Sequence, residues 1–317
     1  MAEFSPLDFS ELHTYSLHER VSKVNVDDFA SPFPPGAGIR DFLRSLPCQL
    51  TGREFPELIE KLAECYRGGK LIMVGMGAHV IKVGLNPVLI DLMERGLISS
   101  LAFNGAGIVH DTEVAVAGKT SEEVGDVLGK GQFGAARETG EVVNEAINRG
   151  AQRDIGLGKA MGEYLIDRNY PYNHLSLLAS AARLDIPLTV HVAVGTDIVH
   201  MHPSADGASI GKTSYHDFQL FCGILKGLSG GAFLNIGSAV LLPEIFLKAL
   251  TVTRNLGYEV NNFTTANFDF IRHYRTMTNV VNRPTAEGGK GYNFIGHHEL
   301  MIPLLAAGLI EVLGPDS

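Results

Sequence analysis

The feature that most constrains this chain is an alternation. Short apolar runs, "KLIMVG" (70–75), "LISSLAF" (97–103), "IPLTVHVAV" (186–194) and "GGAFLNIG" (230–237), are separated by longer stretches of helical periodicity. Runs of that length with few polar residues suit strands buried on both faces, as in a parallel sheet with helices on either side. "NPVLIDLMERG" carries Pro87 in its first turn and closes on Gly96, and "PEIFLKALTVTRNLG" opens on Pro243, both helix signatures. "YEVNNFTTA" (258–266) predicts a fifth strand and "HHELMIPLLAAGLI" (297–310) a final helix, with further helices at 121–128, 137–150 and 156–168. The expected fold class is α/β: a doubly wound, mostly parallel Rossmann-like sheet with helices on both faces. "SPFPPGAGIRDF" holds three prolines and two glycines, which predicts an N-terminal arm or linker over 1–45 and a single α/β domain over 46–317.

Composition narrows the partners. The net charge is −9 and no dense Lys/Arg run occurs, so nucleic acid and anionic membrane surfaces are not expected. The three cysteines, Cys48, Cys65 and Cys222, form no CxxC pair, which points to a reducing compartment. No uncharged apolar stretch of about 18 residues and no signal-peptide pattern is visible, so a cytoplasmic protein is expected.

In a doubly wound sheet, ligands bind beyond the carboxyl ends of the strands. Three glycine breaks fall there: "GMG" (75–77), "NGAG" (104–107) and "NIGS" (235–238). Glycine lets backbone approach a ligand, and helix N-termini offer free N–H groups to phosphate. The first break departs from the dinucleotide fingerprint, because Val80 stands at its third glycine position. A tight strand-to-helix turn explains it equally well. "AGKTSEE" lacks the leading glycine of a P-loop, with Glu113 in its place; Lys119 then reads as surface, and Thr120 or Ser121 as a helix cap.

"NGAGIVHDTE" sets His110, Asp111 and Glu113 directly after a glycine turn. Acids at a strand end suit a cationic amine or acid–base work, while helix capping by Asp111 is the structural alternative. His200 and His202 form an H-x-H that could hold zinc, with His191 and His216 nearby, and "GHHEL" adds His297, His298 and Glu299. The alternative is hydrogen bonding to neighbours, and no metal site is predicted.

From about Gly69 to Ile310 the chain resembles the deoxyhypusine synthase family. The resemblance rests on "LIMVGMGAHVIKVGLNPVLIDLMERGLISSLAFNGAGIVHDTE", "GQFGAARETGEVVNEAINRGA", "GGAFLNIGSAVLLPE" and "FTTANFDF" in that order. It implies a Rossmann-like homotetramer with NAD at subunit interfaces. It also implies a reaction in which NAD oxidises spermidine to an imine and the aminobutyl group moves to another amine. Carried over by position, Gly75, Gly77, Ala78 and His79 match the first nucleotide turn. Asn104, Gly105, Ala106 and Gly107 match the second, and Gly237, Ser238 and Ala239 the third. Asp269 matches an Asp that faces the nucleotide. His110 and Asp111 fall where the family has an acidic pair, so Asp111 and Glu113 are expected to hold a cationic amine.

The chain departs from the pattern at two places. Pro243 and Glu244 stand where the family's catalytic histidine follows the third turn, and the family's Trp-Gly-Lys is missing from a chain without tryptophan. Lys290 is the nearest lysine and the candidate for a covalent role. "NGAGIVHDTE" also resembles a turn in the NAD-binding domain of some ornithine cyclodeaminases. The expected function is that of a NAD-dependent transferase acting on a polyamine or other amine, moving an aminobutyl group by way of oxidation of the amine to an imine, in a homo-oligomer, a tetramer. The alternatives are an ornithine cyclodeaminase-like enzyme, a metal-dependent hydrolase using His200 and His202, and a binding module without catalysis.

Overall fold

In the computed structural model, residues 4–314 are described. Residues 1–3 of the expected arm and 315–317 of the expected domain lie outside them. The helices are α1 (Ile39–Ser45), α2 (Leu50–Arg67), α3 (His79–Lys82), α4 (Asn86–Glu94), α5 (Gly105–Ala117), α6 (Val124–Val127), α7 (Arg137–Arg153), α8 (Leu157–Arg168), α9 (Leu177–Arg183), α10 (Gly207–Leu225), α11 (Leu241–Asn255), α12 (Tyr274–Thr276) and α13 (His298–Leu313). The strands are β1 (Ile72–Met76), β2 (Ser100–Asn104), β3 (Leu188–His191), β4 (Ala232–Ile236), β5 (Phe263–Asp269) and β6 (Gly289–Ile295).

All strand pairs are parallel, and the sheet order is β3-β2-β1-β4-β5-β6. The winding direction reverses between β1 and β4. In doubly wound sheets the ligand position lies beyond the carboxyl ends of the strands where winding reverses.

The pleat sorts side chains into two cores. Ile72, Val74 and Met76 of β1 join Leu234 and Ile236 of β4 in the larger core, with α2, α5, α7, α8, α9 and α13. Met73 and Phe233 turn the other way into a smaller core with Phe221, Leu242 and Phe246 from α10 and α11. Gly75 faces this second core: a Cβ there would stand 2.9 Å from the Phe233 ring. Its smallness serves packing within the sheet, not the nucleotide approach expected of it.

On that same face runs a ladder of amides, buried at Asn235 and Asn267 and half-buried at Asn293. Asn235 Nδ2 donates to Asn267 Oδ1 (2.8 Å), and Asn267 Nδ2 donates to Asn293 Oδ1 (2.9 Å). These residues are register partners across β4, β5 and β6, so the ladder favours one alignment of three strands.

Three elements differ from expectation. The fifth strand starts at Phe263, after Asn262, whose φ of +54° breaks the extended run. β6 was not anticipated, because "GKGYNFI" is glycine-rich and half-exposed, as an edge strand can be. "NGAGIVHDTE" is not an open turn. Asn104 caps a helix by accepting from the Gly107 N–H (2.9 Å), and the following residues form α5.

Ile39–Ser45, at the end of the expected arm, form α1, whose Leu43 is buried in the larger core. Phe4, Leu7, Phe9, Leu12, Tyr15 and Leu17 before it are exposed. Among the described residues no helix is long and apolar enough to cross a membrane.

Candidate functional site

The turns that follow β1 and β4 meet through their backbones. The Gly77 N–H donates to the Ile236 carbonyl and the Gly237 N–H to the Phe268 carbonyl, both at 2.9 Å. A Cβ on Gly77 would stand closer than 3.0 Å to the Gly237 carbonyl oxygen, so the two turns touch. Gly237 has φ +68°, a conformation that favours glycine. Ser238 is buried, and its Oγ accepts from the Leu242 N–H in the first turn of α11 (3.2 Å). Ala78 leads into α3.

Aromatic rings stand over these turns. His79 meets Phe270 edge-on at 4.7 Å and His298 at 5.5 Å, and Phe270 lies 4.6 Å from His298. His298 is fully buried, and its Nε2 lies 3.1 Å from the Phe268 carbonyl. That carbonyl can only accept, so Nε2 carries the proton and Nδ1 presents a lone pair. Burial pulls the His298 pKa below the usual histidine value, with the Phe268 carbonyl and Asp269 pulling back, so the ring is neutral at neutral pH.

His298 Nδ1 has no hydrogen-bond partner. Asp269 ends β5 beside it, and its Oδ1 accepts from the Phe270 N–H (2.8 Å). Asp269 Oδ2 has no hydrogen-bond partner, and His273 Nε2 is 3.8 Å away. Buried polar atoms are rarely left unpaired. One acceptor nitrogen and one carboxylate oxygen here match a ligand with hydroxyl or amide donors.

A cavity of about 240 Å³ lies between α3, α5, the 121–133 segment and the loop after β3. Lys82, His110, Glu113, Glu122, Phe133 and Asp197 line it. Glu113 and Glu122 also reach a neighbouring cavity of about 470 Å³ with Thr120 and Thr139. Glu113 Oε2 accepts from Thr120 Oγ1 and Oε1 from Thr139 Oγ1. His110 Nδ1 stands 2.6 Å from Thr120 Oγ1 and 3.8 Å from Glu113. Burial pushes the Glu113 carboxyl up, but His110 and the two threonines outweigh it and hold the pKa below the ordinary value.

Gly105 and Gly107 make the first turn of α5 and do not form an open cradle. Gly107 packs over Phe103, and Gly105 backs onto the Asp197 carboxylate. That carboxylate holds the position an anion would take at the α5 N-terminus.

Two expected site residues are displaced. Asp111 lies inside α5 and is fully buried. It accepts from Asn86 Nδ2 (2.9 Å), Ser176 Oγ, and the Leu177 (2.9 Å) and Leu178 (3.0 Å) N–H groups. Burial pushes its pKa up against those four donors. Asp111 ties the start of α9 to α5 and leaves no face for a substrate amine. Lys290 is the second residue of β6, at the amino end of the sheet, opposite the glycine turns. Its Nζ pairs with both Glu57 oxygens at 2.7 Å and lies 4.8 Å from the Tyr292 ring centre.

The metal reading finds no ligand set. His202 Nε2 contacts the Gly134 carbonyl (2.9 Å), and His200 Nδ1 accepts from the Gly195 N–H (3.2 Å). Among the described residues no group of three or more His, Cys, Asp or Glu side chains is placed to hold a metal ion.

No protein-family model matches the chain, and no curated protein matches its sequence. Solved structures do match in shape. An Entamoeba histolytica protein proposed to be a deoxyhypusine synthase superposes with a TM-score of 0.53 at 13% identity, over 90% of this chain and 97% of that one. The fold is deoxyhypusine synthase-like. A protein of Methanococcus maripaludis S2 proposed to be of the LOR/SDH type gives 0.51 at 15% identity, over 88% of this chain and 72% of that one. AgrE, in a ternary complex with ornithine and NAD+, gives 0.50 at 16% identity, over 81% of this chain. The chain spans about a third of AgrE's length (33%).

Sequence reasoning missed Asp197, and it noted His298 without a role. The first sits in an irregular loop with no motif. The second comes from the far end of the chain, and only the β4–β5 pairing brings it beside Gly237.

Proposed function

We propose that the chain is a NAD-dependent enzyme that oxidises a small amine. The dinucleotide would lie along the Gly77–Gly237 crevice, and the amine would occupy the acidic cavity beside α5. One observation carries the reading. At the switch point of a β3-β2-β1-β4-β5-β6 sheet, two buried polar atoms lack partners, Asp269 Oδ2 and His298 Nδ1. The likeness to AgrE, a protein seen with ornithine and NAD+, supports it at the level of the fold.

Bound NAD would supply a hydride acceptor. The chain's own groups do the rest. Asp269 Oδ2 accepts from a hydroxyl donor of the ligand, and His298 Nδ1 accepts from an amide or hydroxyl. An ammonium must lose a proton before its carbon can give up hydride. His110 Nδ1 donates to Thr120 Oγ1, which donates to Glu113, so His110 Nε2 is free to take that proton. Glu113 Oε2 lies 3.8 Å from His110 Nδ1.

The chain would work as a homo-oligomer. Val240, Ile271, Tyr274, Ile295 and Leu300 are large, exposed and gathered at the carboxyl end of β4–β6. An apolar patch beside a site marks a contact surface, and a second copy would close the crevice there. Light scattering on the purified chain measures the state, and a monomer at working concentration would remove this part.

Calorimetric titration with NAD tests the whole reading, followed by an NADH-absorbance screen over spermidine, putrescine, ornithine and arginine. Saturable NAD binding with amine-dependent NADH is expected. No NAD binding at millimolar concentration would discard it.

A further inference from the structure

The N-terminal arm and the domain carry complementary surfaces that a single chain leaves apart. Residues 4–24 form neither helix nor strand. Phe4, Leu7, Phe9 and Leu12 are 97%, 78%, 70% and 70% exposed, with Asp8 and Glu11 set among them. The base of the arm is fixed. The Asp28 carbonyl accepts from the Cys48 N–H (2.9 Å), Asp28 Oδ2 accepts from Gln49 Nε2 (2.7 Å), and the Ser31 N–H donates to the Ser45 carbonyl (3.0 Å). An anchored segment that holds this many large apolar side chains in water marks a contact surface.

A cavity of about 370 Å³ lies between α1, α2 and the end of α13. Arg40, Arg44 and Arg67 line it together with Leu43, Pro56 and Ile59. Arg40 Nη2 donates to the Glu311 carbonyl (2.7 Å) and Arg67 Nη2 to the Val312 carbonyl (2.9 Å), which fixes two guanidiniums and leaves donors free on each. Arg40 also pairs with Glu311 Oε1 at 3.3 Å. Arg44 and Arg67 have no carboxylate partner among the described residues, and Glu60 is the one acid in the lining. Three arginines around one cavity stand out in a chain of net charge −9. α2 and α13 both end here, at the amino end of the sheet, so the cavity lies away from the glycine turns and from the apolar patch beyond β4–β6.

We infer that residues 4–12 of one copy of the chain dock in this cavity of a second copy, with Asp8 and Glu11 at the arginines and the apolar side chains beside Leu43, Pro56 and Ile59. Charge selects the occupant. The arm over 4–33 carries the acids Asp8, Glu11, Glu19, Asp27 and Asp28 against Arg20 and Lys23. Carboxylates on guanidinium forks make strong pairs, and Arg is enriched at interfaces. Length agrees, since one side of a standard interface supplies about 20–30 residues. The stretch between Leu12 and Asp28 can span roughly 50 Å, so a chain's own cavity is within reach of its arm. The single chain nevertheless leaves both uncovered, which puts the pairing between copies. Reciprocal exchange of two arms closes about a two-fold axis.

Full-length charge-reversal variants test this. One carries Arg44→Glu with Arg67→Glu, a second carries Asp8→Arg with Glu11→Arg, and a third carries all four changes. Light scattering over a dilution series gives the dissociation constant of each assembly, and melting curves show that each variant is folded. The wild-type chain should associate. The cavity variant and the arm variant should each associate about tenfold more weakly or worse, because like charge then faces like charge. Mixing those two variants should restore association, since each arm meets an opposite charge in the other copy. The four-change chain should associate by itself.

A wild-type chain that stays monomeric, or an arm variant that associates as tightly as wild type, would overturn the inference. So would restoration in the four-change chain without restoration in the mixture, which would put each arm on its own cavity. The arm changes lie in exposed residues outside the core, so that variant decides the matter even if the cavity variant fails to fold.

Discussion

Gly77 and Gly237 meet backbone to backbone across the point where the sheet reverses its winding. A Cβ on Gly77 would stand closer than 3.0 Å to the Gly237 carbonyl oxygen, and backbone cannot swing aside as a side chain can. Gly77→Ala should therefore cost about 1–3 kcal/mol, the range for overpacking, and should abolish NAD binding by parting the two turns. Gly211 lies in α10 with open space around it. There alanine should be neutral or stabilising by up to about 1 kcal/mol. Urea unfolding of both variants measures the contrast, and equal effects would show that the contact does not matter.

Asp111 is a joint between α5, α4 and α9. Four donors converge on its carboxylate, so Asp111→Ala strands a buried amide, a hydroxyl and two backbone N–H groups. The expected loss is about 3–5 kcal/mol, as when one partner of a buried polar network is removed. Asp111→Asn keeps part of the network and should lose less. Denaturant curves of both variants, alongside amine affinity in the folded Asn variant, separate the two roles. Unchanged stability with lost amine binding would return Asp111 to the substrate.

The central strands were legible because burial on both faces leaves a strong mark. β3 and β4 fall within two of the four apolar runs, and β1 and β2 each pass the end of theirs by one residue. α5 was not legible in the same way. Its first turn, Gly105-Ala106-Gly107, is made of residues that also favour open turns, and two glycines weaken any helical prediction. The usable signal was Asn104 as a cap ahead of Ile108, Thr112 and Ala115, which share one helical face. Reading that helix would have put Asp111 inside the fold. The crevice glycines were placed by strand position alone. Their chemical neighbours, Asp269 and His298, meet through β4–β5 pairing and the course of α13, which no local pattern encodes.

Lys290 lies at the end of the sheet away from the crevice, half exposed and paired with Glu57. Glu57 has its pKa lowered, first by its hydrogen bond from Lys290 and against the pull of burial. Solvent screens such a pair, so Lys290→Ala should change stability by no more than about 1 kcal/mol. NAD affinity and amine turnover should be unaltered. Trapping with borohydride in the presence of amine tests the alternative directly. A covalent adduct at Lys290 would overturn its assignment as a structural residue.

Asp217 gives the fold a pH dependence. It is fully buried in α10, and its Oδ2 accepts from the Gly158 and Val190 N–H groups, both at 2.8 Å, while Oδ1 has no hydrogen-bond partner. Burial outweighs those donors and raises its pKa from 3.8 to about 7. The folded chain thus holds a proton that the unfolded chain releases above pH 3.8. Between about pH 4 and 7 the native state binds more protons, so this group's contribution to stability falls as pH rises. The upper bound is roughly 4 kcal/mol across the window, at about 1.4 kcal/mol per pH unit. Asp217→Asn removes the titration, and its melting temperature should lose the wild-type decline over that range. A wild-type melting temperature that climbs from pH 4 to 7 with the same slope as the Asn variant would show that Asp217 stays ionised in the fold.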